Sequence, residues 1–322
     1  MKRHVDKNRL SAATHWKYLA GLCLGLALLG CAAHPAHAQN LVTACGQTLS
    51  APGQYVLASD LDCSGTFATG INITANKVVF HLAGHTLSST DCDLTKGIEG
   101  IAVAGTSGVQ IEGGTVKGFN DGIDLAATKS RVNGMTVTSA CEFGIALSGA
   151  GNRVDTSVVT LSGEDGIGIG AASGTHIESN DISWNARVGV DISNFSNNNF
   201  IENNIINSNG LTGGQGGVAI FNGTNNLIAN NTLNNNFNGI EVESPNNTIQ
   251  ANTVNGSVGD GIFVLTIASP TVVQRNVAMG NAVADLSDDN PACSGDTWKK
   301  NIFLTDLVAG SPDGGPKTGC IR

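Results

Sequence analysis

Three observations predict an all-β solenoid, a parallel β-helix built from rungs of about 22 residues. The first is a recurring phrase: Gly, then Ile or Val, any residue, then Ile, Leu or Val. It occurs at Gly100-Ile101-Ala102-Val103 and Gly122-Ile123-Asp124-Leu125, and again from Gly144, Gly166, Gly189, Gly217, Gly239 and Gly261. Those glycines are 22, 22, 22, 23, 28, 22 and 22 residues apart, and one further step of 22 reaches Val283 and a worn copy, Ala284-Asp285-Leu286. Second, the copies consist of short apolar alternations punctuated by Gly and Asn, the pattern of strands joined by tight turns. Third, the chain holds 42 glycines, is dominated by β-branched residues and shows no long 3.6-residue period, which argues against helices. A period near 22 with about three short strands per copy suits one coil of a parallel β-helix; a propeller blade runs to about 40 residues, and a leucine-rich repeat would show its Leu framework.

In chain order, residues 1–38 read as an export signal. Lys2, Arg3, Lys7, Arg9 and Lys17 precede an apolar run from Tyr18 to Gly30 and a small-residue exit, Ala36-His37-Ala38. The apolar run is too short to span a bilayer, and no other stretch could cross one, so a periplasmic or extracellular location is expected, with no transmembrane segment. Leu28-Leu29-Gly30-Cys31 resembles the lipobox of bacterial lipoproteins, which would make Cys31 a lipid anchor; the Ala-x-Ala exit after Pro35 is preferred. Subtracting the leader's five basic residues and one acidic residue from 17 and 26 leaves 12 and 25, a net charge of −13. Such an acidic surface argues against nucleic-acid partners.

Of eight cysteines, Cys23 and Cys31 lie in the leader. The remaining six suggest three disulfides in an exported chain, although six allow 15 pairings. Cys45–Cys63 and Cys293–Cys320 are local and sit at the two ends of the array, which leaves Cys92–Cys141 by elimination; no Cys-x-x-Cys spacing supports a metal cluster. Residues 39–75 are irregular and read as an N-terminal cap, 76–286 as the solenoid, and 287–322 as a C-terminal cap in which Trp298 and Phe303 cover the last rung. Asp288-Asp289 reads as a solvated acidic turn.

Within the solenoid a second piece recurs: an apolar residue, two others, Asn, one other, an apolar residue. It runs from Ile177 through Asn180, Ile201 through Asn204, Ile228 through Asn231, Ile249 through Asn252 and Val273 through Asn276. Stacked, these asparagines would form a ladder at a turn, bonding rung to rung, Asn being tolerant of the left-handed backbone expected there.

The Gly-Ile-x-Leu and Asn-Asn-x-Ile copies resemble, over roughly residues 76–290, the right-handed parallel β-helix repeats of pectin-lyase-like proteins. Similar repeats occur in polysaccharide lyases and hydrolases, uronate epimerases and a periplasmic copper-associated protein of nitrous-oxide reductase maturation. The resemblance implies a right-handed coil and leaves function to the site. It brings no catalytic motif with it: Asn-Thr-Asp, Gly-His-Gly and Arg-Ile-Lys of polygalacturonases are missing, as is Asp-Pro-His-Asp of alginate epimerases.

Chemistry is expected where the beat breaks. About seven extra residues lie within Ser88–Glu99 and about six within Ser208–Gly216, both just before a Gly-Ile-x-Leu strand; insertions on one side of a solenoid commonly mark its binding face. Between them, Asp121, Glu142, Glu164, Asp165 and Arg187 precede the repeat glycines and are the candidate catalytic groups. Asp124 and Asp191 point outward just after those glycines and are candidate substrate contacts. Rung spacing puts Glu142 about 5 Å from Glu164 and Asp121 about 10 Å from Asp165, compatible with glycosidase carboxyl pairs. No cofactor is required by that reading; Ca2+ is the cation such stacked carboxylates would hold, as the resemblance to pectate lyases implies. The expected partner is a polysaccharide or oligosaccharide, bound and cleaved by a lyase or hydrolase, with a non-catalytic carbohydrate-binding or envelope-structural solenoid as the alternative. The only remaining histidines, His81, His85 and His176, are too scattered to favour copper.

Overall fold

Each coil of the chain lays down three strands in turn. The computed structural model describes residues 40–322 apart from 94, 96, 213, 214, 314 and 316–318. The export signal and Cys31 therefore lie outside the described residues. The Gly-Ile-x-Leu strands stack into a thirteen-stranded sheet, here face 1, which includes Ile101–Ser107, Ile123–Thr128, Ile145–Ala150, Ile167–Ser173 and Val188–Ser193. A twenty-stranded sheet carries the other strands in two columns. Face 2 includes Arg153–Asp155 and His176–Glu178; face 3 includes Val158–Thr160 and Asp181–Ser183.

Successive coils pair in parallel register, Ile123 on Ile145 and Leu125 on Leu147, so like residues stack. The two predicted interior columns, Ile101 to Ile262 and Val103 to Val264, are buried throughout. Ile177, Ile201, Ile228 and Ile249 fill the interior from face 2, and Ile182, Ile206, Leu233 and Val254 from face 3. This dry, aligned core is the main stabilising term. The repeat glycine has a steric reason as well. A Cβ on Gly144 would stand 2.6 Å from the Gly166 carbonyl oxygen and 2.4 Å from Val159 Cγ1. The chain enters face 1 pressed against the backbone of the next coil.

The predicted asparagine ladder exists between faces 2 and 3 and runs on to Asn301. Asn204 Oδ1 accepts from Asn180 N at 2.9 Å and Asn180 Nδ2 at 3.0 Å, and Asn204 repeats the pattern toward Asn231. The final pair of donors, Asn301 N and Nδ2, meets the Arg322 carbonyl, each at 3.0 Å. Two further ladders occupy the other corners: Asn199, Asn226 and Asn247 between faces 1 and 2, and Asn185, Asn209 and Asn236 between faces 3 and 1. One expectation is corrected. The left-handed residue of the turn is the one before the ladder asparagine, as at Ser179 (φ 58°), Asn203 (58°) and Ala251 (53°). Asparagine is therefore selected for its amide, which both donates and accepts, and not for its backbone.

All three disulfides form as paired above, with Cα separations of 5.7, 5.9 and 6.0 Å. The ends differ from the expected caps. Asn40–Val42 pairs in parallel with Gly53–Leu57, and Gln47–Leu49 with Ile71–Ile73, so the N-terminal segment is itself coiled into the stack. At the other end Leu286–Asp288 and Thr297–Lys299 extend the columns, Trp298 lying in register with Val273. Only Asp306–Val308 with Ser311–Pro312 is antiparallel among the described pairs. Trp298 and Phe303 are buried as expected. Asp288 is not a solvated turn residue: it stacks on Val264 and is fully buried. Its Oδ2 accepts from Trp298 Nε1 at 2.7 Å, and its Oδ1 from Asn290 N at 2.8 Å and Nδ2 at 3.0 Å. Those donors replace the water that a buried carboxyl would otherwise lack.

Candidate functional site

Alternation along a strand sends the x of each Gly-Ile-x-Leu phrase outward, and parallel register lines these residues up across face 1. In order they are Ala102, Asp124, Ala146, Gly168, Asp191, Ala219 and Glu241. The two small residues between Asp124 and Asp191 leave a depression, a cleft of about 240 Å³ also lined by Phe143, Ser193 and Asn194. Phe143 precedes its repeat glycine, and its ring lies over Gly168, where an added Cβ would approach Phe143 Cδ1 to 3.1 Å.

Carboxyls gather at both ends of this cleft. At one end Asp121 is pushed up to about 6 by burial, against the hydrogen bond from Phe143 N at 3.1 Å and with the charges of Glu142, Asp124 and Glu99 adding to the rise. Asp124 is also raised, by burial and then by Glu99. At the other end Asp165 is fully buried. Its Oδ2 accepts from Arg187 Nη2, and its Oδ1 from Val188 N at 3.0 Å. Burial still outweighs the guanidinium and carries Asp165 up to about 7. Asp191 is buried and raised by that burial, and its Oδ1 has no hydrogen-bond partner among the described residues.

The predicted residues thus divide into two groups. Asp121, Asp124 and Glu142 sit together with Glu99; Asp165, Arg187 and Asp191 form the second cluster. Glu164 is exposed on the turn and is tied to Glu142 through Glu164 N to Glu142 O at 3.0 Å. Both insertions do precede face 1 and touch the site. Cys92 of the first is bonded to Cys141, beside Glu142, and Gln215 of the second accepts from Arg187 Nη1 at 3.4 Å. Glu99 and Phe143 were missed by the sequence reading although each directly precedes a repeat glycine. Glu241 and Asp260, the latter pushed up to about 6 by burial, continue the acidic line past the second insertion. Oxygen donors suit Ca2+ in kind, yet among the described residues no three carboxylates of the cleft bring oxygens within 4.8 Å of one another. The one cluster at that spacing is Cys293, Asp313 and Cys320, whose sulfurs are joined in a disulfide. His81 and His85 are engaged by Glu112 and Asp60, each at 3.2 Å.

These buried carboxyls make stability depend on pH in an uncommon direction. Asp121, Asp165, Asp260 and Asp296 all have native pKa values raised to about 6 or 7 from 3.8. The native state therefore holds more protons than the unfolded chain between about pH 4 and 7, and stability falls as pH rises through that window. Melting followed by circular dichroism is expected to occur on the order of 5 °C higher at pH 5 than at pH 8.

The sequence matches the family model described as "right handed beta helix region" over residues 99–214 and 159–296. No curated protein shows significant sequence similarity. Among solved structures, the Dettilon tailspike protein superposes with a TM-score of 0.58 at 15% identity, over 84% of this chain and 60% of its own. The A-module of an Azotobacter vinelandii mannuronan C-5 epimerase gives 0.52 at 16% identity, over 83% and 79%. A periplasmic alginate epimerase gives 0.51 at 17%, over 75% and 60%. This chain thus spans three fifths of the tailspike and of the periplasmic epimerase, and the likeness is one of fold. Repeat period, parallel register and family match agree: the chain belongs to the right-handed β-helix family.

Proposed function

We propose that the chain binds a polysaccharide along the cleft of face 1 and hydrolyses it there, with Asp121 holding the proton and Asp124 as the partner carboxylate. The observation that carries the binding is the cleft itself, which sets Asp124, Asp191, Ser193 and Asn194 around a floor of small residues; sugar hydroxyls exchange hydrogen bonds with polar groups of that kind. Phe143 offers an apolar ring face against which a sugar can lie, and Ala146 and Gly168 keep the floor low. Glycoside hydrolysis requires one carboxyl protonated and a second able to ionise. Asp121 at about 6, beside Asp124, meets that requirement near neutral pH. Elimination would instead want a positive group free to face a sugar carboxylate, and Arg187 is held by Asp165. Three disulfides suit an exported, oxidising setting.

The cleft lining holds no Lys or Arg, so neutral polysaccharides are the first substrates to try, followed by alginate and mannuronan, which the names of two fold neighbours suggest. Reducing ends and unsaturated products are counted side by side. Asp121→Asn is expected to lower the rate of reducing-end release about 100-fold or more while leaving binding intact. The wild-type rate should fall as pH rises through about 6. Full activity in both Asp121→Asn and Asp124→Asn refutes the assignment. Binding with no product from any substrate leaves a non-catalytic carbohydrate-binding solenoid.

A further inference from the structure

A second surface, on face 3 and away from the acidic cleft, has the make-up of a sugar site. Here the outward residues of successive coils are Ser183, Asn207, Asn234 and Asn255, in register. Their amides bond along the surface: Asn234 N and Nδ2 donate to Asn207 Oδ1 at 3.0 and 3.1 Å, and Asn255 Nδ2 to Asn234 Oδ1 at 3.4 Å. Asn207 Nδ2 and Asn255 Oδ1 take no part in this row, and both residues line a groove with Trp184 and Ser208. The groove is about 560 Å³ and holds one charged residue, Asp181, at its end.

Trp184 is 60% exposed and occupies the left-handed corner after the face 3 strand with φ 61°, as Leu161, 56% exposed at φ 60°, does one coil earlier. Later coils fill the same corner with Ser208, Asn235, Gly256 and Gly280, residues at ease there. A bulky side chain in that conformation is uncommon, and exposure returns no burial energy for it. An indole held open beside a row of uncharged amides combines the two contacts sugars make: an apolar ring face on an aromatic plane, and hydroxyls on amide donors and acceptors. The spacing also fits, because coils recur about every 4.8 Å, close to the length of one sugar ring, so neighbouring amides meet neighbouring sugars.

We propose that face 3 binds an uncharged oligosaccharide, neutral or N-acetylated, with Trp184 as platform and Asn207, Asn234 and Asn255 as the polar track. Lack of any Lys or Arg in the groove is what selects an uncharged ligand. The site does not depend on the cleft of face 1, and a surface of this kind would hold the protein on a glycan independently of any cleavage.

The protein carries its own reporter, because Trp184 and Trp298 are the tryptophans of the described region and Trp298 is buried. Titration of the full chain with cellohexaose, maltohexaose and N-acetylchitohexaose should quench and blue-shift Trp184 emission for at least one of them. Trp184→Ala should weaken that binding at least 10-fold by calorimetry, Asn207→Ala with Asn234→Ala should do likewise with the emission signal retained, and Lys299→Ala, exposed on face 2, should leave it unchanged. Trp184→Gly, which relieves the left-handed backbone, should melt no lower than wild type while failing to bind, which separates function from folding. The proposal is overturned if none of the three oligosaccharides moves the emission, or if binding survives both substitutions. It is equally overturned if Trp184→Ala converts a dimer to a monomer in light scattering, since the patch would then be covered by a second copy.

Discussion

Replacing Asn204 with alanine is expected to lower the melting temperature by roughly 10 °C, a loss of about 4 kcal/mol. The side chain serves four partners at once. Its Oδ1 accepts from Asn180 N and Nδ2, and its Nδ2 donates to Ile177 O at 2.8 Å and Asn231 Oδ1 at 3.0 Å. All lie in a region without solvent access, so alanine strands several polar groups at about 1–3 kcal/mol each, with partial relaxation offsetting part of the sum. Asn204→Asp is the sharper test. It keeps the acceptor and removes the donor, turning a carboxylate oxygen toward Asn231 Oδ1. It should be as destabilising as alanine at pH 8 and recover partly at pH 4, where the carboxyl regains a proton. If Asn204→Asp melts like wild type at pH 8, the ladder is decorative.

Gly144→Ala is expected to be almost as damaging, about 3 kcal/mol, through sterics alone. The added carbon would sit 2.6 Å from the Gly166 carbonyl and 2.4 Å from Val159 Cγ1, and the backbone of the next coil cannot yield without breaking register. Gly134→Ala offers an informative contrast. No atom lies within 4 Å of its would-be Cβ, but its φ is +60°, so its loss reflects conformation only, about 1 kcal/mol. Chemical denaturation of the two variants should therefore separate strongly; equal losses would mean that the repeat glycine is kept for flexibility.

Much of the fold was legible because a solenoid writes its geometry directly into its period. The apolar columns, the three disulfides and the corner that carries both insertions follow from spacing. What was hidden had a physical reason in each case. Two of the three ladders use asparagines that lack the flanking apolar signature of the first, such as Asn185 and Asn209, so only the stacked corner shows that Asn209 Oδ1 accepts from Asn185 N at 3.0 Å. Asp288 carries a charge at a core position, and its neutral partner, Trp298, lies ten residues on, beyond the reach of a local pattern. For the candidate site, spacing placed the carboxyls at or just before face 1 but could not tell which were covered. Asp121 and Asp165 occupy the same position in the phrase; one is half-buried near Asp124, which lines the cleft, and the other is sealed beneath Arg187. Phe143 is hard to single out in the sequence because an aromatic residue in that column passes for core; only the fold lays its ring over Gly168.

The ladders also have a direction. In the corner ladders the backbone N–H of one asparagine meets the side-chain oxygen of the following coil, as Asn252 N does Asn276 Oδ1 at 2.9 Å, while Nδ2 also reaches back, as to Ile228 O at 2.8 Å, so each row behaves as a polymer whose advancing end presents N–H groups. Left open, that end would recruit any matching strand, including one from another molecule. Here the ends are quenched by groups that accept and have nothing to hand on. The Arg322 carbonyl takes both donors of Asn301, Asp285 Oδ1 takes those of Asn281 at 3.1 and 3.0 Å, and Asp296 Oδ1 takes Thr271 N. Chain termination, in the polymer chemist's sense, is thus built into the same amides that propagate the coil.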